Sequence, residues 1–210
     1  MDLIDITPLA SPRLAVFPGD TPASRQVLLD IARGDVVTLS TLHATVHLGA
    51  HADAPSHYGR DGRTIDRQPL ETYVGPCQVI HVAATPRQSI GPADLPGPIL
   101  APRVLLATGT YPDPQRWTGD FAALSPELID HLANAGVVLV GVDMPSVDVS
   151  DAKTLPVHRR ILERDLAILE GLLLRDVPAG LYELIALPLR LEGFDASPVR
   201  AVLRRPDGGR

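Results

Sequence analysis

Cysteine is almost absent from this 210-residue chain: Cys77 stands alone, which excludes an internal disulfide and any metal site built from thiolates alone. A bound metal would therefore have to use histidine and carboxylate ligands. Positive charge is not in surplus either. Against 19 Lys and Arg stand 25 Asp and Glu, a formal charge of −6, so a surface that neutralises nucleic-acid phosphates is not expected. The apolar run at residues 135–142 falls far short of the ~20 residues of a membrane helix. The start, Met-Asp-Leu-Ile-Asp, lacks the basic head and apolar core of a secretion signal, and a cytoplasmic protein is expected. Also missing are the Gly-x-Ser-x-Gly elbow, the Walker loop, His-Glu-x-x-His and Gly-x-Gly-x-x-Gly. Their absence removes the commonest serine hydrolase, nucleotide-binding and zincin readings.

What remains is globular in composition, with 45% hydrophobic and 21% charged residues. No repeat or linker is evident, so one domain over residues 1–210 is expected. Apolar runs at 77–83, 104–107, 137–142 and 181–191, each bounded by Gly, Pro or Asp, read as strands. Ser125 followed by Pro126 marks a helix start that runs to about Gly136. A second helix is expected at 157–164, followed by a strand at 166–174. Helices alternating with buried strands imply an α/β fold on a central sheet.

The chain has seven histidines, and four potential ligands fall together in His47-Leu-Gly-Ala-His51-Ala-Asp53-Ala-Pro-Ser-His57. On a helix they would point to about 0°, 40°, 240° and 280°, and Gly49 and Pro55 oppose a helix. All the offsets are even, so an extended segment running from the alternating stretch 37–51 into a loop would turn all four to one side. Small residues between them leave room for a ligand. Imidazole and carboxylate donors suit zinc, and also manganese or iron. His43 shares the parity but is read as surface or supporting, His81 and His131 as structural, and Cys77 as a small buried hydrophobe.

Glu170 is a second anomaly, because an ionised carboxylate inside Leu166-Ala-Ile-Leu-Glu-Gly-Leu-Leu-Leu174 is costly to bury unpaired. A metal would relieve that cost, and His158, twelve residues earlier, could reach the same point. The alternative is an ion pair with Arg159, Arg160 or Arg164.

The stretch from His47 to Tyr58 resembles the His-x-Gly-[Thr/Ala]-His-x-Asp-x-Pro-x-His signature of the cyclase family of metal-dependent hydrolases. Val16-Phe-Pro-Gly-Asp20, Gly141-Val-Asp-Met-Pro-Ser-Val-Asp148, Ser150-Asp-Ala-Lys-Thr-Leu155, Leu169-Glu-Gly171 and residues 177–189 are similar to its bacterial kynurenine formamidase (arylformamidase) branch. The resemblance implies a swivelling β/β/α domain with a mixed central sheet, forming a homodimer. It implies two zinc ions (or manganese) per subunit, one on His47, His51 and Asp53, the other on Asp53, His158 and Glu170, with Asp53 and Glu170 bridging. His57 would be the general acid/base and Phe17 a contact of the substrate's aromatic ring. The implied reaction is hydrolysis of N-formyl-L-kynurenine to L-kynurenine and formate in tryptophan degradation. The alternatives are hydrolysis of another small amide or an isatin-like lactam, or non-enzymatic metal binding. Phe17 stands where the branch commonly has tryptophan, and Arg159 where many relatives have a second histidine.

Overall fold

A computed structural model describes residues 3–205. In chain order the strands are β1 (Leu3–Asp5), β2 (Ser24–Leu29), β3 (Leu39–His43), β4 (His51–Asp53), β5 (Val74–His81), β6 (Ser89–Ile90), β7 (Arg103–Ala107), β8 (Ala123–Leu124), β9 (Leu139–Val142), β10 (Ala167–Glu170), β11 (Gly180–Ile185), β12 (Ala196–Pro198) and β13 (Val202–Arg204). The α-helices are α1 (Pro55–Tyr58), α2 (Pro126–Asn134) and α3 (Pro156–Glu163). Nine strands form one mixed sheet in the order β1-β13-β11-β5-β7-β9-β10-β4-β12. Its centre, from β5 through β7 and β9 to β10, is parallel, and antiparallel strands flank it. This is the mixed α/β class expected from the sequence.

The central strands read as continuous apolar runs because both of their faces are covered. Val104, Leu106, Val140, Val142 and Ile168 point to one side, where Leu128, Ile129 and Leu132 of α2 and Val157 and Ile161 of α3 pack on them. The intervening Leu105, Leu139 and Leu169 point the other way. There they share a core with Ala52 of β4 and Leu203 of β13, strands from distant parts of the sheet, so the sheet curls around this face. The α2 start is as expected: the Leu128 amide donates to Ser125 Oγ at 3.2 Å and Pro126 occupies the first turn.

Three expected strands are shorter than their apolar runs. The strand expected over 181–191 stops at Ile185, ahead of Pro188, and the one over 166–174 stops at Glu170, where Gly171 turns with φ +68°. The alternating stretch 37–51 is not one strand. Its first part, β3, pairs antiparallel with β2 in a separate hairpin, the backbone then leaves regular structure, and Gly49 takes φ +59° before β4 begins. Past Asp53 the chain turns into α1 with Pro55 in its first turn. The uniform extended backbone inferred from parity is therefore a correction: alternation in the exposed β2–β3 hairpin mimicked a half-buried strand.

Candidate metal centre

The potential ligands converge by sheet register and by two turns. On β4, His51 and Asp53 lie on the same side, and antiparallel pairing with β10 sets Glu170 opposite His51. The Gly49 turn brings His47 back over β4, α1 carries His57, and α3 brings His158 from the helical layer. His47 Nδ1 lies 3.0 Å from Asp53 Oδ1, His51 Nε2 is 3.3 Å from the same oxygen, and His158 Nε2 is 3.5 Å from Asp53 Oδ2. Glu170 reaches the cluster through Oε2, 3.4 Å from His51 Nε2, and through Oε1, 3.7 Å from His158 Nε2. The arginine alternative for Glu170 is not what forms: Arg160 pairs with Asp130 and Glu163, and Arg164 with Asp130.

The imidazoles are held from behind. His51 Nδ1–H donates to the Gly49 carbonyl at 2.9 Å, and His158 Nδ1–H to Asp148 Oδ2 at 2.7 Å. Assigned this way, the tautomers leave each Nε2 lone pair facing the carboxylates, as metal-binding histidines require. Asp148 also accepts the Val157 and His158 amides at the start of α3, and the Val147 amide donates to Glu170 Oε1 at 2.8 Å. Gly49 and Gly171 make the close approach possible. A Cβ on Gly171 would lie 2.2 Å from the Gly49 carbonyl oxygen, the same oxygen that orients His51. No other residue fits there without moving one of the two segments.

Position 195 is a residue that sequence reasoning missed. Asp195 Oδ2 lies 3.0 Å from His47 Nε2 and 3.2 Å from His57 Nδ1, so one carboxylate oxygen can accept from both rings. Asp195 directly precedes β12, whose pairing with β4 sets Ala196 opposite Asp53. No local pattern announces that position. Asp148 was quoted only as part of a motif, and its contact with His158 depends on the turn into α3. The remaining histidines behave as read: His81 Nε2–H donates to the Val177 carbonyl at 2.7 Å, and His43 is exposed, 3.4 Å from Gln26 Oε1. Cys77 is buried, and burial pushes its thiol up to about 12, far from a thiolate nucleophile.

The donor set fits divalent cations on two independent observations. Among the described residues both Asp53 oxygens and His51 Nε2 are buried without a hydrogen-bond partner, and leaving such groups unsatisfied costs of order 1–3 kcal/mol each, more when charged. The electrostatics point the same way. Burial opposes protonation of His51 and His158, yet Asp53, Glu170 and, for His158, Asp148 override it and lift both to about 10. Burial likewise opposes ionisation of Asp53, but His158, His47 and His51 hold its carboxyl well below the usual range. The carboxylates thus demand positive charge, which imidazolium supplies in the metal-free protein. A divalent ion supplies it with the histidines neutral and free to coordinate. The distances give three overlapping groups, His47 with His51 and Asp53, Asp53 with His57 and His158, and His47 with His57 and Asp195; Glu170 is in none of them.

A cavity of about 510 Å³ opens onto this cluster. Its wall includes Phe17, Tyr111 and Trp117, with Phe17 and Trp117 edge to face at 4.9 Å between ring centres. No Lys or Arg lines it.

Fold and cluster together define a class: an α/β protein on a nine-stranded mixed sheet, with a buried imidazole and carboxylate centre suited to divalent cations. The chain belongs to the Cyclase family, whose model, described as “Putative cyclase”, matches residues 4–149, a span that holds His47, His51, Asp53 and His57 and ends before His158 and Glu170. A structure described as a potential metal-dependent hydrolase with cyclase activity is 27% identical, with TM-score 0.83 over 98% of this chain and 99% of that one. A predicted metal-dependent hydrolase from Bacillus stearothermophilus is 28% identical, with TM-score 0.80 over 96% and 97%. Isatin hydrolase A from Labrenzia aggregata, bound to benzyl benzoate, shares the fold at 22% identity, with TM-score 0.79 over 96% and 93%. Among the described residues no helix is long and apolar enough to cross a membrane.

Proposed function

We propose that the chain is a metal-dependent amidohydrolase that cleaves N-formyl-L-kynurenine to L-kynurenine and formate. The observation that carries this reading is the Asp53 carboxylate, buried, unpartnered and ringed by three imidazoles at the end of an aromatic-walled cavity. The similar structures described as metal-dependent hydrolases support the reaction class. Zinc, or manganese, would be held by His47, His51 and Asp53 at one position and by Asp53, His158 and Glu170 at the other, Asp53 and Glu170 bridging. Bound there, the ions supply an acidified water and a Lewis acid for the formyl carbonyl.

The chain's own groups do the rest. Phe17 and Trp117 offer apolar ring faces and edges to an aryl group. Asp195 fixes the His57 ring by accepting from Nδ1–H, leaving Nε2 to handle the proton. From Nε2 a proton passes to the departing aryl amine nitrogen, which is a poor leaving group as an anion. With metal loaded, kcat/KM for N-formyl-L-kynurenine should exceed that for isatin by about 10² or more, a gap of roughly 2.7 kcal/mol, and a chelator should abolish turnover until zinc or manganese is restored. The opposite ranking would favour the lactam reading, which the fold shared with isatin hydrolase A supports.

We further propose a homodimer whose contact includes the β2–β3 hairpin. Every residue of β2 is exposed, and Val36, Val37 and Leu42 are 94%, 51% and 67% accessible. Apolar side chains gathered on a projecting hairpin mark an association surface. Sedimentation should give twice the chain mass, and Val37→Asp with Leu42→Asp should give a single chain. A wild-type chain that sediments alone would remove this proposal.

A further inference from the structure

Next to the aromatic cavity, sharing His57 and Leu155 with it, is a second, more open groove of about 400 Å³. The two linings differ in their charged side chains. Among the described residues the cavity carries Asp20, Asp143, Glu170 and Asp195 with the histidine cluster and no Lys or Arg, whereas the groove carries Arg60, Lys153 and Arg159 and no carboxylate. None of these three side chains forms an ion pair among the described residues, although the surrounding helices are laced with pairs such as Arg160 to Asp130 and Arg63 to Asp165. In a chain with a formal charge of −6, three uncommitted cations converge on one groove beside the proposed proton donor.

We propose that this groove is the subsite for a carboxylate on the substrate, held by Lys153 and Arg159, while the aryl amide lies toward the cavity. The inference rests on the amidohydrolase reading and narrows it: amides bearing a carboxylate at the far end from the scissile bond are preferred over uncharged amides of the same shape. With the scissile amide at the metal centre, an anionic far end finds Arg60, Lys153 and Arg159 without ion-pair partners among the described residues, so charge favours seating that end in the groove. Arg159 presents a planar fork suited to a carboxylate. This assigns a role to the position where many relatives have a second histidine.

The test compares N-formyl-L-kynurenine with its methyl ester, which lacks the negative charge and carries one extra methyl group. In the metal-loaded wild type the acid should have the higher kcat/KM, carried by KM. In Lys153→Gln with Arg159→Gln the ratio of acid to ester should fall roughly tenfold, the scale of two charge contacts near solvent, and Lys153→Arg with Arg159→Lys should restore most of it. Both side chains are exposed and unpaired, so the substitutions cost the fold little, and a ratio is insensitive to partial unfolding. An unchanged ratio overturns the subsite. Formate is the other carboxylate source: if it competes with both substrates in the wild type and the double variant loses only that competition, the groove serves product and the proposal also fails. If the wild type hydrolyses neither compound, the amidohydrolase reading falls. Calorimetric binding of L-kynurenine against its methyl ester then still reads the groove, equal affinities overturning it.

Discussion

Asp53→Ala is expected to lose both metal ions and, with them, all turnover above background. Among the described residues Asp53 is the one side chain within 3.5 Å of His47, His51 and His158 at once, so its removal takes a ligand from each proposed position. It also removes one source of the raised His51 and His158 values, leaving Glu170 and, for His158, Asp148 to hold them up against burial. This has a second readout in the metal-free protein. In the wild type the two histidines rise from 6.5 to about 10 on folding, so the stabilisation they give is fully present below about pH 6.5 and fades as pH climbs through about 10. The variant should lose part of that slope. Metal analysis together with thermal melts of the stripped protein from pH 6 to 10 checks both outcomes, and two ions per chain in Asp53→Ala would end the bridging assignment.

His57→Ala is expected to keep its metal and lose turnover by about 10²–10⁴, the usual contribution of a positioned acid or base. The geometry leaves two roles to separate. His57 is the most exposed ring of the cluster and contacts Asp195 at 3.2 Å, which suits a proton carrier. It also lies close enough to Asp53 and His158 to share an ion with them. A ligand role predicts that metal content falls in step with activity. A proton-carrier role predicts unchanged metal content, a loss in kcat rather than KM, and partial recovery with added imidazole.

Residue chemistry made Glu170 legible: a carboxylate in an apolar strand needed a partner, and β4 and α3 each supply an imidazole where the sequence also allowed an arginine. The His47 to His57 cluster was legible as a composition, but the local geometry inferred for it was not what brings it together. Even spacing suggested one extended backbone, whereas the structure uses a left-handed turn at Gly49, three residues of strand and a single helical turn. Spacing carries no information about φ, and alternating apolar residues in a solvent-exposed hairpin look the same as a half-buried strand. Asp195 was not legible at all, because it meets His47 and His57 only through the pairing of β12 with β4, which no local pattern encodes. The basic groove was equally hidden, since Arg60 and Arg159 come to line it together only when α1 and α3 pack against each other.

The pairing of β4 with β10 also bears on how the protein matures. A chain emerging from the ribosome presents its first histidines early, but Glu170 follows them by more than a hundred residues, and Asp195 comes later still. With the ions held as proposed, their stable capture waits until Glu170 has been made and β10 has paired with β4, so a product cut short before β10 would forfeit its cargo.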